Sequence, residues 1–356
     1  MSERVPLYRT LTVLGVALVA GAGLLFGKPA QSESTQPTPL AVAWPEAERG
    51  SLPAKLTDGS EYTPGLFLDA KTSAGTARTD GTLRLVIRRS GGDVRVLRTV
   101  PEAGHAPFAA LTSSGDTLVW VESVKGKAQL WTASLTDEAP ARMVTADVGD
   151  VRFYDSTDDL VIDGGSVHWV AAGSGQSTEF RSIKLTGGKV SSTTAKGDWR
   201  MTTWPWAVDG QIAASGTTSL RNLTTGQDIA VPTGKRTVTA CSSAWCQLVS
   251  INQDGYAKME LSQPDGSARR KVAEGDVTTG ITDVAVLDRF EIIAQVGTQA
   301  ELSGNAELLI YDLSDRKTVL VSQDAGNITY RGGVLWWSTG DQSSYIRNSL
   351  DLRTVN

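Results

Sequence analysis

Three features of this sequence predict an all-β domain built from repeated antiparallel meanders. Short alternating runs recur, each bounded by turns bearing Gly and Asp. No convincing amphipathic helical stripe follows residue 50. One hairpin, Gly115 to Asp137 (GDTLVWVESVKGKAQLWTASLTD), returns in loose copies as far as the C-terminus. In it Gly115-Asp116 closes a turn, and Leu118, Trp120 and Glu122 alternate with Val119, Val121 and Ser123. Lys125-Gly126-Lys127 then turns the chain into a second run, Gln129 to Leu135. Both faces of the first run begin apolar, as expected of a strand packed between neighbouring sheets. Such a meander cannot bury both faces alone and needs copies stacked beside it.

Taken in order, the chain opens with Arg4 and Arg9 ahead of an uncharged run, Thr10 to Gly27, followed by Lys28. That run is at the lower end of the length that spans a bilayer. It predicts a transmembrane or signal-anchor helix over 10–27, a short cytoplasmic stretch over 1–9, and a C-terminal domain outside the cytoplasm. Secretion after signal cleavage is the alternative, with Ala41-Val42-Ala43 as a distant small-x-small site. Residues 28–60 are rich in Pro, Ser and Thr and read as a flexible tether, with Trp44 its one aromatic.

The β pattern occupies 61–356. Leu66-Phe67-Leu68, Leu83 to Arg89 and Val94 to Val100 come first, with Ser90-Gly91-Gly92-Asp93 as a hairpin turn. The Gly115 hairpin follows. Later units centre on Gly164 to Leu185, Thr203 to Leu223, Val238 to Leu261, Ile281 to Leu313 and Ile328 to Leu352. Their second strands recur roughly every 35 to 50 residues, the spacing of propeller blades. A β-propeller of about seven blades follows, six being the alternative, with the strand around Leu66 closing the ring.

The repeat resembles that of TolB-type propellers, roughly W-S-P-D-G, a strand, a polar turn and a second strand I-Y-x-x-D-L. Leu111 to Asp116 keeps only the turn, Trp206-Ala207-Val208-Asp209-Gly210 keeps the Trp and the Asp-Gly, and Leu309-Ile310-Tyr311-Asp312-Leu313 keeps the second strand. With the anchor and the Cys241 to Cys246 segment, the likeness is to exported TolB-like propellers of high-GC Gram-positive bacteria. It implies a fold rather than an activity, because propellers host many functions.

Composition narrows the function. A net charge of −5 lacks the basic footprint of a nucleic-acid binder. Two histidines, His105 and His168, and two cysteines leave little for a transition-metal site, and no cofactor motif is present. In an exported chain Cys241 and Cys246 read as a local disulfide. Trp120, Trp169, Trp206 and Trp336 recur at one repeat position and read as core between blades. Trp199, Trp204 and Trp337 fall outside that register and stand as the candidate binding surface. Asp155, Asp158, Asp159 and Asp163 lack calcium-loop spacing and read as a solvated loop. Arg84, Arg88, Arg89, Arg95 and Arg98 read as charges protecting an outer strand, with contact to anionic lipid or wall polymer beside the membrane anchor as the functional alternative.

No lipase-type, zinc-protease or phosphate-loop signature occurs. The expectation is therefore a non-enzymatic, membrane-anchored platform that binds a protein or cell-envelope component. Two alternatives stand beside it: a glycan hydrolase or lyase, or a small-molecule sensor ectodomain. The enzyme reading requires carboxylates, or His with Tyr or Arg, converging at the central channel mouth.

Overall fold

Alternating sequence becomes strand throughout the computed structural model, which describes residues 36–210, 214–296, 304–340 and 345–356. The expected helix over 10–27 and the cytoplasmic stretch lie outside the described residues. Among the described residues no helix is long and apolar enough to cross a membrane.

The Gly115 hairpin forms as its turn chemistry demands. Val124 pairs with Lys127, so Lys125-Gly126 is a two-residue loop, and both residues have positive φ, 48° and 75°. Thr117–Val124 and Lys127–Ser134 are flanked by Ala109–Ser114 and Arg142–Thr145 in one four-stranded antiparallel sheet. The same unit precedes it, from Glu61–Phe67 to Val94–Pro101. It is repeated in units spanning 150–196, 199–230 and 237–275. Beyond these, a single eight-stranded sheet contains two more units sharing one 15-residue strand, Lys317–Arg331. The first part of this strand pairs with Ala306–Asp312 and the last part with Val334–Thr339. Among the described residues six sheets thus succeed one another, four of four strands, one of five, and the last of eight, which divides into a sixth and a seventh unit at the shared strand.

The seventh unit takes its outer strand from the N-terminal side. Arg49–Pro53 lies antiparallel to Ile346–Asp351, with Gly50 opposite Ser349. This corrects the closing strand expected near Leu66, which instead lies in the first strand of the first unit. It also corrects the tether, whose residues from 36 onward pack on the domain. Leu40 is buried, and Trp44 sits edge-on to Phe290, with ring centroids 5.5 Å apart. The physical reason is that the seventh unit supplies only three strands of its own, and the unpaired edge of Ile346–Asp351 recruits a fourth.

Apolar clusters fill the seams between successive units. Leu66, Leu85 and Trp120 join the first to the second, and Val121, Leu160 and Trp169 the second to the third. Met259, Leu261 and Ile293 join the fifth to the sixth, and Phe290, Ile310 and Leu335 the sixth to the seventh. Leu52, Phe67, Val334 and Trp336 then join the seventh back to the first, so the units form a closed ring. Trp120, Trp169 and Trp336 are buried in these seams, as the repeat implied, while Trp206 is half-buried.

Candidate functional site

A cleft of about 260 Å³ opens where five units converge. Each unit brings a residue from its innermost strand or from the loop beside it. Arg200 comes from Trp199–Met201, Cys241 from the end of Thr237–Cys241 and Tyr330 from the end of Lys317–Arg331. Asp283 lies in the loop before Phe290–Gln295. Asp158 belongs to a single 3-10 turn, Thr157–Asp159, inserted in the third unit.

That turn is built to stay shut. Ser156 caps it by accepting the Asp158 N–H, and the Asp159 carboxylate accepts the N–H groups of Tyr154 and Ser156. It also reaches across the ring. The Ser156 hydroxyl and the Thr157 N–H both donate to Asp283, and the Gly332 N–H donates to Thr157 Oγ1 at 2.9 Å. Third, sixth and seventh units are therefore tied together at the centre. The solvated loop expected for Asp155 to Asp163 is corrected by these contacts: Asp159 is buried and Asp158 faces the cleft.

The electrostatics are unusual for an interior. Burial first, and then the nearby Asp283 carboxylate, push the Asp158 carboxyl up to about 7. Burial pushes Asp159 up to about 6 and raises the Tyr330 phenol as well. Arg331 Nη2 stands 4.0 Å from Asp159, and Arg200 Nη1 stands 4.0 Å from Asp283. Arg200 is only 4 % exposed, yet its guanidinium makes no hydrogen bond among the described residues, and its Nε is buried without a partner. The Asp158 carboxyl oxygens likewise accept no hydrogen bond there.

The opposite wall is apolar and strained. Val284, Ala285, Val286 and Leu287 line it, and Ala285, Leu287 and Asp288 hold positive φ of 47°, 56° and 55°. Two hydrogen bonds, one buried and one exposed, hold this shape. The Ala285 N–H donates to Glu291 Oε2 at 2.9 Å, and Trp245 Nε1 donates to the Asp288 carbonyl at 3.2 Å. Trp245 rides on the loop that the Cys241–Cys246 disulfide closes, so the bond expected from the sequence clamps one edge of the cleft.

The candidate aromatic surface does not form. Trp199 and Trp337 are each 6 % exposed. Trp199 Nε1 donates to the Lys196 carbonyl, and Trp337 packs with Tyr330, Leu335 and Leu350. Trp204 is half-buried and stacks on His168, with ring centroids 3.8 Å apart. These three residues therefore hold the units together, because a large ring at a seam gains more from burial than from water. Four of the five hairpin arginines are engaged with the domain, while Arg89 is exposed. Arg84 pairs with Asp58, Arg88 donates to the Pro53 carbonyl, Arg95 to the Leu135 carbonyl, and Arg98 to Glu122 while covering Trp131. Sequence reasoning missed Arg200, Asp283 and Tyr330. For Arg200 a signal existed: a lone charge between Trp199 and Met201 in a strand buried at every position. Among the described residues no three His, Cys, Asp or Glu side chains converge to hold a metal ion.

No family model and no curated relative matches the chain. Solved structures do. An oligogalacturonate lyase from Vibrio parahaemolyticus superposes with a TM-score of 0.56 at 7 % identity, covering 86 % of this chain and 98 % of that one. An oligogalacturonate lyase in complex with manganese gives 0.55 at 9 %, with 87 % and 98 % covered. The fold is a β-propeller. An uncharacterised protein from Listeria monocytogenes is similar at 0.52 and 11 % identity, with 79 % and 90 % covered. TolB from Acinetobacter baumannii is also a neighbour of this propeller, at 12 % identity over 72 % of this chain and 65 % of that one. Its TM-score of 0.41 is too low to carry an argument. At these identities the likenesses establish the propeller and not its chemistry.

Proposed function

We propose that this chain is a seven-bladed propeller, held outside the cytoplasm by its N-terminal segment, that binds a small polar ligand in its axial cleft. The observation that carries this reading is Arg200, a guanidinium almost fully buried, without a hydrogen bond, and open to the cleft. A charge taken out of water costs several kcal/mol unless a partner repays it, by roughly the magnitudes known for buried ions. Asp283, 4.0 Å away, repays part of that cost, and a ligand that brings its own acceptor supplies the hydrogen bonds this ion pair lacks. The aromatic surface that favoured a broad protein platform is interior, so a protein or envelope partner fits this reading only by presenting a small polar group to the cleft.

The test is calorimetric titration of the full-length chain with a panel of amino acids, organic acids, polyols and sugars, beside an Arg200→Met variant of unchanged melting temperature. Binding that the variant loses supports the cleft. Binding that the variant keeps puts the ligand elsewhere and sinks the reading.

A second reading, catalysis, is favoured by one specific observation. Asp158, raised to about 7, shares the cleft with Arg200 and Tyr330, and a carboxyl in that range can give and take protons near neutrality. The lyase neighbours make acidic oligosaccharides the first substrates to assay. Turnover that peaks near pH 7 and disappears in Asp158→Asn would establish an enzyme.

A further inference from the structure

We infer that the cleft ligand is a small zwitterion, an ammonium carboxylate of amino-acid size with an apolar side chain. The inference rests on the cleft being the binding site and names the chemistry that would occupy it. Two groups of opposite charge in the cleft make no hydrogen bond among the described residues. Arg200 has donors left over beyond its 4.0 Å ion pair with Asp283, and the Asp158 carboxyl accepts no hydrogen bond among the described residues. Of the other charged groups, Asp288 is exposed to solvent, and Asp283 and Asp159 are committed. Both oxygens of Asp283 accept from the Ser156–Thr157 turn, and both oxygens of Asp159 accept backbone N–H groups.

Charge balance selects among ligand classes. Asp158, Asp159, Asp283 and Asp288 stand against Arg200 and Arg331, four carboxyls against two guanidiniums. A simple anion satisfies Arg200 but adds a negative charge beside those carboxyls. A simple cation meets Asp158 and leaves Arg200 buried without a hydrogen bond. A sugar hydrogen-bonds to both but neutralises neither. Only a ligand carrying both charges meets both groups and leaves the net charge of the cleft unchanged. The apolar wall from Val284 to Leu287 then faces the ligand's side chain. A volume of about 260 Å³ limits that side chain to something near leucine in size.

The experiment compares three probes by titration calorimetry on the unmodified full-length chain at pH 7. Leucine carries both charges, isopentylamine lacks the carboxylate, and 4-methylpentanoate lacks the ammonium. Leucine is expected to bind about tenfold or more tightly than either half, since each charge-assisted contact is worth at least that factor. Arg200→Met should weaken leucine and leave isopentylamine unchanged, while Asp158→Asn should weaken leucine and spare 4-methylpentanoate. Leucylleucine separates a free amino acid from a peptide as the source. Because the three-probe comparison uses the wild-type chain, a misfolded variant cannot hide the answer. If leucine binds no better than its halves, or none of the three binds, the inference is overturned. In that case Arg200-dependent binding of another compound from the panel leaves the cleft reading standing, and no Arg200-dependent binding removes both.

Discussion

Asp158, Asp159 and Glu291 are carboxyls that the fold prefers to keep protonated. Burial raises Asp158 to about 7, Asp159 to about 6 and Glu291 to about 8. Each binds its proton more tightly folded than unfolded, so the folded state holds more protons through this window and stability must fall as pH rises. Raising pH from 5.5 to 8.5 is therefore expected to lower Tm. One such group is worth about 1 kcal/mol, or about 1 to 2 °C for a domain of this size. Asp158→Asn should flatten the part of the curve near pH 7. Carboxyls held below their usual range by their partners, such as Asp228 beside Arg221, act in the opposite sense. They lose their contribution only in stronger acid, outside this window. A flat or rising melting curve between those limits would refute the assignment.

The tryptophans make the second argument at this scale. Trp337→Ala empties a packed cluster and should cost about 3 to 5 kcal/mol in urea unfolding. Trp204→Ala loses only a half-exposed stack on His168 and should cost clearly less. Comparable costs would mean that the ring of Trp204 is as well packed as that of Trp337.

Among the elements, the closing strand is the most demanding. A Cβ on Gly50 would lie 1.9 Å from the Ala70 carbonyl oxygen, an oxygen that already accepts the Ser349 hydroxyl. Nothing flexible is there to move aside, because the obstruction is backbone. Gly50→Ala should therefore pull Arg49–Pro53 away from Ile346–Asp351 and cost more than about 2 kcal/mol, comparable with overpacking in a core. Urea melts and amide exchange in Ile346–Asp351 read this directly. A neutral effect would show that the strand tolerates displacement. The Thr157–Asp159 insertion is the other decisive element. It stretches one unit's loop across the ring to Asp283 and Gly332, and so builds the cleft floor from units that are not neighbours.

For the whole molecule, ring closure means that every unit is held from two sides. The seam between the seventh and first units is the one the chain does not join by consecutive strands. Phe67 and Trp336 meet there at 5.1 Å. Phe67→Ala should cost about as much as a large-to-small change in any internal seam, roughly 3 to 5 kcal/mol, and unfolding should stay a single transition. Early, separate melting of the seventh unit would instead show a weak seam.

What the sequence by itself determined lies at short range. Alternation and turn residues specify the hairpins, as Lys125-Gly126 illustrates, because strand pairing across a two-residue turn is decided within a dozen neighbours. The tryptophan recurrence at 120, 169 and 336 marked the seams for the same local reason, and Cys241 and Cys246 are near enough to pair within one hairpin. Tertiary structure alone decided the rest. Ser156 and Asp283 meet although 127 residues separate them, and Arg200 is buried beside Asp283 only when five units converge around it. It also decided that Trp199 and Trp337 turn inward and that residues 49 to 53 leave the expected tether to complete a sheet. The physical reason is common to all of these. A side chain's solvation and partners are properties of the closed ring, and no local pattern encodes which distant edge or charge the closure will bring against it.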